Sequence, residues 1–305
     1  MIYNIDMQSP FVTIFTPTYN RAAHLALLYA CIKSQSFTSF EWIIVDDGSD
    51  DETAEVVNKF ISESEVKITY QYQQNSGKHI AINNGIKLAA GELFFIVDSD
   101  DLLPEDSLSI IHNHWHRLLS DGEVERYAGL CGLRAAKNGR VIGGNVDYSV
   151  LDASVLEYRY HKGYVGDKAE VYRTDVLRAY PFPSIEGEKF CTEALVWNRI
   201  GQSYQLRFFN ECIYICEYLP GGLSARSFHL RKTSPRYASL YYAELINTCA
   251  LSYYQRIRAA VNFWRFALYN SKDKFSEKYK LINRPWSLII IPVCYFLYCF
   301  DKFKK

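Results

Sequence analysis

Four short apolar runs, separated by stretches of helical periodicity, open the chain. Phe11-Val-Thr-Ile-Phe15 is rich in β-formers and stops at Thr16-Pro17. Residues 22 to 33 (AAHLALLYACIK) follow a helical spacing, and Trp42-Ile-Ile-Val45 reads as a second strand. Ser49 and Glu52 have capping-box spacing and predict a helix through about Phe60. Lys67 to Tyr72 reads as a third strand and 78 to 90 as a third helix. Leu93-Phe-Phe-Ile-Val97 is continuously apolar, as a strand buried on both faces should be. This alternation predicts an α/β fold with a Rossmann-like, mostly parallel sheet flanked by helices.

Past residue 104 the pattern loosens. Pro104 suits a helix start, continued over 105 to 119. Turns are expected at Gly129, Gly132, Gly139, Gly143 and Gly144, and a late strand over Cys212 to Tyr218. Aromatics and Arg recur in a helical rhythm from Arg236 to Tyr269, followed by Lys272, Lys274, Lys278, Lys280 and Arg284. An uncharged run, PWSLIIIPVCYFLYCF over 285 to 300, ends before Asp301, Lys302, Lys304 and Lys305. It is shorter than the ~20 residues a membrane-spanning helix needs, and Pro292 interrupts it. Two readings remain: a helix lying on anionic lipid with Trp286 at headgroup depth, or a terminal helix packed on the protein's own core.

Composition narrows the field. The chain has 305 residues, 49% hydrophobic, so it can bury a sizeable core. Lys+Arg and Asp+Glu both number 34, and a net charge of zero argues against nucleic acid as a partner. The start, MIYNIDMQSPF, shows no secretory signal, and the 8 Cys contain no CxxC, so free thiols and a cytoplasmic setting are expected. P-loop and dinucleotide fingerprints are absent. His112, His114 and His116 do not make a metal site by spacing, since only 112 and 116 share a helix face.

Ligands of open parallel sheets bind beyond the carboxyl ends of the strands. The residues there are polar: Thr16 to Arg21, Asp46 to Ser49, Asn75 to Lys78 and Asp98-Ser-Asp-Asp101. Three carboxylates within the last four residues repel one another unless a cation joins them. A hard divalent ion with oxygen ligands, Mg²⁺ or Mn²⁺, would bridge them to a diphosphate. The plain alternative is a solvated acidic turn before the helix at Pro104.

Together, P-T-Y-N-R (17 to 21), I-I-V-D-D-G-S (43 to 49), N-x-G with A-x-N-x-G (75 to 77, 81 to 85) and D-S-D-D (98 to 101) resemble the nucleotide-binding half of a GT-A glycosyltransferase of family 2, of the bacterial surface-polysaccharide type. The resemblance covers about residues 11 to 106. It implies that Pro17, Tyr19 and Arg21 line the nucleoside pocket and that Asp47 bonds the base. Lys78 would also face the nucleotide, Asp98 would approach the ribose or metal, and Asp100 would bind Mn²⁺ or Mg²⁺. Asp101 would act through a neighbour or hold the acceptor, and Asp46 would brace its loop. Glu193, where relatives often carry Asp before a helix, would be the general base, with Glu186 and Glu188 as runners-up; a first-turn helix acid is the bland alternative. Tyr218 to Ser224, with Gly221 and Gly222, is similar to a segment beside the donor diphosphate.

The expected organisation is a nucleotide-sugar half over 1–105, an acceptor and base half over 106–230, and a helical membrane-associating tail over 231–305. The expected activity is inverting, metal-dependent transfer from a nucleotide sugar, with UDP favoured, to a glycan or polyprenyl-linked acceptor at the cytoplasmic membrane face. The Q-x-x-R-W signature of processive synthases is missing, which favours single addition. The rivals are a sugar-phosphate nucleotidyltransferase, whose glycine-rich first loop is not seen after Phe15, and a noncatalytic membrane-associated scaffold.

Overall fold

A computed structural model describes residues 9–216, 226–248 and 251–303. The four expected strands form: β1 (Val12–Thr18), β2 (Phe40–Asp46), β3 (Ile68–Tyr72) and β4 (Leu93–Ile96). They pair in parallel in the order β3-β2-β1-β4. Alternating side chains separate the two faces. Val12, Ile14, Trp42 and Ile44 pack against α1 (Ala22–Lys33) and α2 (Thr53–Glu63). Phe15, Ile43 and Val45 pack against α3 (Lys78–Leu88) on the other side. Every residue of β1 and β2 is buried, including Thr13 and Glu41, whose side chains bond each other at 2.8 Å.

Two local expectations change. β1 continues through Pro17 to Thr18 rather than stopping at Thr16-Pro17. Phe15 carbonyl accepts from Val97 N–H on the β4 side. Pro17, two residues on, faces that same side beyond the end of β4, so its missing N–H costs no ladder bond. The capping box at Ser49 and Glu52 does not form: Ser49 Oγ accepts from Asn20 N–H instead, and Asp51 Oδ1 takes Thr53 N–H at the head of α2.

The second half extends the same sheet through four more strands: Cys212 to Cys216 of the expected late strand end the last of them, and the other three were not revealed by the pattern. β5 (Tyr127–Ala136), β6 (Val150–Ala153), β7 (Lys168–Arg173) and β8 (Gln205–Cys216) complete an eight-stranded sheet ordered β3-β2-β1-β4-β7-β5-β8-β6. β7 runs antiparallel to both β4 and β5, while β8 is parallel to β5. Gly129 and Gly132 lie inside β5, not in turns; a Cβ on Gly129 would come 2.0 Å from the Val171 carbonyl oxygen. α4 (Ser107–Ser120) covers the sheet with Leu108, Ile111, Trp115 and Leu118. α5 (Thr174–Ala179) and α6 (Ala194–Ile200) cover the opposite face.

The tail forms α8 (Pro235–Asn247), α9 (Tyr253–Ala267), α10 (Phe275–Ile282) and α11 (Ile291–Phe303), after a short α7 (Ser227–Thr233). Ile246, Phe263, Trp264, Ile282 and Cys294 give these helices a core of their own. Arg199 of α6 grips Glu244 of α8 through two bonds of 2.7 and 2.8 Å, joining tail to sheet layer. The terminal segment is packed on the tail's own core through Ser287, Cys294 and Asp301, which are buried, while Ile289, Val293, Phe296 and Phe300 face outward. Among the described residues no helix is long and apolar enough to cross a membrane. The seven cysteines among the described residues are free thiols. His114 is buried against Phe209 and bonds Glu211, and His112 and His116 pack on Phe11; no described cluster could hold a metal through three or more such side chains.

Candidate functional site

The loops after β1 to β4 converge at one sheet edge. Tyr19 is 50% exposed there, beside Asn20, whose positive φ of 52° turns the chain into α1. Asn20 is pinned on both sides, its N–H donating to Ser49 Oγ and its Oδ1 accepting from Asp50 N–H. Arg21 then reaches across to Asp100, with Nε 3.8 Å from the carboxylate.

Asp46 and Asp47 both brace this edge. Asp46 accepts from Ser49 N–H and from the Tyr70 hydroxyl, as expected of a loop brace. Asp47 is buried and accepts from Gln73 Nε2 and Ser76 N–H at 2.7 Å each and from Gly77 N–H at 2.9 Å. Three donors leave about one lone-pair direction of this carboxylate free. Asp47 therefore holds the 73–77 loop, a partner that spacing alone could not show.

The acids after β4 have separate neighbours. Lys78 Nζ lies 2.6 Å from Asp98 Oδ1 and 2.8 Å from Glu193 Oε1, so it joins the first half of the chain to the second. Burial opposes the Lys78 charge, but the two carboxylates raise its pKa above the usual lysine value. Burial likewise opposes charge on Asp98, yet Lys78 and then Arg134 hold its pKa below the usual range. Asp101 is buried and accepts from the Tyr214 hydroxyl at 2.7 Å. Burial and the Asp98 charge push it up to about 7, against the pull of Tyr214 and Arg134. The Tyr214 oxygen also accepts Asp98 N–H at 3.0 Å, so one phenol orders the whole turn.

Tyr214 on β8 and Arg134 on β5 were not expected at the site. The Arg134 guanidinium lies 4.1 Å from the Tyr214 ring centroid and donates to the Lys168 carbonyl. Burial works against its charge, but Tyr214, Glu170, Asp98 and Glu193 hold its pKa above the usual value. The available signal was a charged residue within the otherwise apolar run of 127 to 136.

Glu193 stands at the head of α6, but its side chain does not cap that helix; it turns to Lys78. Glu188 accepts from Arg236 and Tyr237 N–H at the start of α8 and so caps that helix. Tyr237 hydroxyl accepts from Ile185 N–H, donates to the Pro183 carbonyl and meets His79 Nε2, each at 2.8 Å. This hub anchors the loop leading to Glu193. Glu186 does not join the Lys78 pair. Residues 218 to 224 lie outside the described residues.

Residues 13–126 match the family model described as Glycosyl transferase family 2. This stretch is a family 2 glycosyltransferase domain. Glycosyltransferase GlyG of Streptococcus pneumoniae is 30% identical over 120 residues, 39% of this chain and 40% of the relative. Poly(ribitol-phosphate) beta-N-acetylglucosaminyltransferase TarS of Staphylococcus aureus is 32% identical over 98 residues, 32% of this chain and 17% of the relative. The chain spans less than half the length of the curated relatives it matches. Likeness of fold to solved structures extends well past the matched stretch. The structure of TarS in complex with UDP-GlcNAc aligns with 93% of this chain and 79% of its own, at TM-score 0.55 and 19% identity. A mannosyltransferase from Pyrobaculum calidifontis in complex with GDP-Man and Mn²⁺ aligns with 95% of this chain and 86% of its own, at TM-score 0.55 and 17% identity. The sheet with its flanking helices is thus a GT-A fold.

Proposed function

We propose that the chain is an inverting glycosyltransferase that moves a sugar from a nucleotide sugar, with UDP as the nucleotide, to a hydroxyl of a glycan or polyprenyl-linked glycan of the cell surface. The observation that carries this reading is the meeting of acids from both halves of the chain at Lys78. One set lies at the sheet edge where nucleotides bind, and Glu193 faces it from the acceptor half. Relatives that bind UDP-GlcNAc and are named for glycosylating poly(ribitol-phosphate) support the donor and acceptor classes.

The donor set fits a divalent cation that arrives with its diphosphate. Asp98 and Asp100 offer hard oxygen ligands, and no described cluster supplies three or more His, Cys, Asp or Glu ligands, so the rest of the shell falls to phosphate and water. Asp100, with Asp98, would hold Mn²⁺ or Mg²⁺, which when bound would offset charge gathering on the leaving diphosphate. Pro17, Tyr19 and Arg21 would flank the nucleoside, with Asp47 fixing the loop beneath the base.

Glu193 takes the proton of the acceptor hydroxyl. The acceptor oxygen bonds the sugar C1 on the face opposite the leaving group. The bond from C1 to the diphosphate oxygen breaks, and its electron pair leaves with the nucleoside diphosphate. The configuration at C1 inverts. The outward apolar face of α11 and the exposed cations near it would hold the enzyme at the cytoplasmic membrane surface, where a polyprenyl-linked acceptor resides.

Calorimetry with UDP and Mn²⁺ tests the donor assignment. Wild type should bind UDP in a Mn²⁺-dependent way, and Asp100→Ala should lose that dependence while its melting temperature holds. Equal UDP binding with and without Mn²⁺ in both proteins would remove the metal from the scheme; no UDP binding at all would remove the donor.

A further inference from the structure

We infer that Lys78 is the positioning residue of the general base: it fixes the Glu193 carboxylate and ties it to the donor-side acid Asp98. The inference rests on the transferase reading, with Glu193 as base. Glu193 has three rotatable side-chain bonds and does not use its carboxylate to cap α6. The ion pair to Lys78 at 2.8 Å is what aims it. Proton transfer needs the base within hydrogen-bond reach of the acceptor hydroxyl, and an unheld carboxylate spreads over several rotamers.

Lys78 is suited to the task because its own backbone is locked on both sides. Gly77 donates its N–H to Asp47, and a Cβ there would come 2.1 Å from the Lys189 carbonyl oxygen. His79 is buried and held by Tyr237. The segment carrying Lys78 is therefore wedged between the nucleotide loop and the loop that delivers Glu193. An ammonium group has three protons. Asp98 and Glu193 take two, which leaves one for the acceptor oxygen. Arg134 on β5 and Glu170 on β7 act on Glu193 by charge, but the short bond comes from Lys78.

A mutant cycle tests this, with turnover and calorimetric UDP–Mn²⁺ binding measured in parallel on the full chain. Lys78→Met should bind UDP with Mn²⁺ within about threefold of wild type and keep its donor KM, while kcat falls on the order of 10- to 100-fold, the scale of a misplaced catalytic group. Lys78→Arg should recover part of that loss. In a Glu193→Gln background, Lys78→Met should cost nothing further, because a residue acting through the base has nothing left to position. Multiplicative losses in the double variant, or a tenfold loss of UDP binding with kcat preserved, would assign Lys78 to the donor and overturn the inference. Lys78→Gln is read in the same cycle, so the answer does not depend on one variant folding. Full transfer by Glu193→Gln would also overturn it. Wild type that binds no UDP would instead sink the transferase reading, a failure seen before any Lys78 variant is made.

Discussion

At the residue scale, His79 shows how a buried group links stability to the architecture of the site. Tyr237 hydroxyl has one proton, and the Pro183 carbonyl takes it, so His79 Nε2–H must donate to that oxygen. Its Nδ1 is buried without a partner. A proton added there would be a buried, unpaired charge, and burial pulls the imidazole pKa from 6.5 down to about 4. The sign follows from linkage. Between those values the unfolded chain binds a proton that the folded chain refuses, so stability is complete above 6.5 and falls as pH drops toward 4. Full expression of that shift is worth roughly 3 kcal/mol. Urea unfolding of wild type and His79→Gln at several pH values between 7 and 4 measures it. The wild-type curve should lose stability over this range and the variant should lose clearly less; parallel curves would show that the imidazole does not titrate as described.

At the element scale, the head of α3 is the joint between the two halves. Gly77 has φ of +97° and lies against the Lys189 carbonyl, so two independent constraints select glycine. Gly77→Ala should therefore destabilise the chain by about 2 kcal/mol or more, against a few tenths for an exposed, unstrained position, and denaturant midpoints will show it. A wild-type midpoint would mean that the 185–193 loop simply moves aside. The same contrast explains what the sequence made legible. β1, β2 and β4 are buried by helices on both faces, so apolar residues dominate them and polar loops bound them. β5 and β7 are largely buried too, but β5 carries Gly129 and Gly132 for close strand approach, and β7 carries Lys168, Glu170 and Arg173 with partners in the fold. Glycine and charge read locally as turn and surface. Likewise Asp98, Asp100 and Glu193 could be named from motif order, whereas Tyr214, Arg134 and the Lys78 bridge depend on residues 20 to 115 positions apart meeting in space. No local pattern encodes such a meeting.

At the scale of the whole molecule, zero net charge gives no general attraction to an anionic surface, so any membrane contact must come from local arrangement. The tail supplies one. Ile289, Val293, Phe296 and Phe300 are spaced by four, three and four residues, which aligns them on one side of the terminal helical segment. Ile289 is 81% and Phe296 70% exposed. The opposite side is committed inward: Asp301 pairs with Arg265, and Ser287 accepts from Trp264 Nε1. Tyr253 and Tyr254 add exposed rings at the head of α9, the former against Trp286, and Lys272, Lys274, Lys280 and Lys302 are exposed cations of the same tail. Apolar side chains beside aromatic rings and cations are the makeup of an interfacial anchor on anionic lipid. Each outward Phe fully buried in the acyl boundary contributes about 1.5–3 kcal/mol. Replacing Phe296 and Phe300 with Ser should thus weaken co-sedimentation with phosphatidylglycerol vesicles by tenfold or more. Unfolding should shift far less, since Phe296 is 70% and Phe300 50% exposed. High salt should weaken wild-type binding through the cations, and neutral vesicles should bind less. Partitioning indifferent to both Phe residues and to salt would leave the outward face of α11 without lipid as its partner.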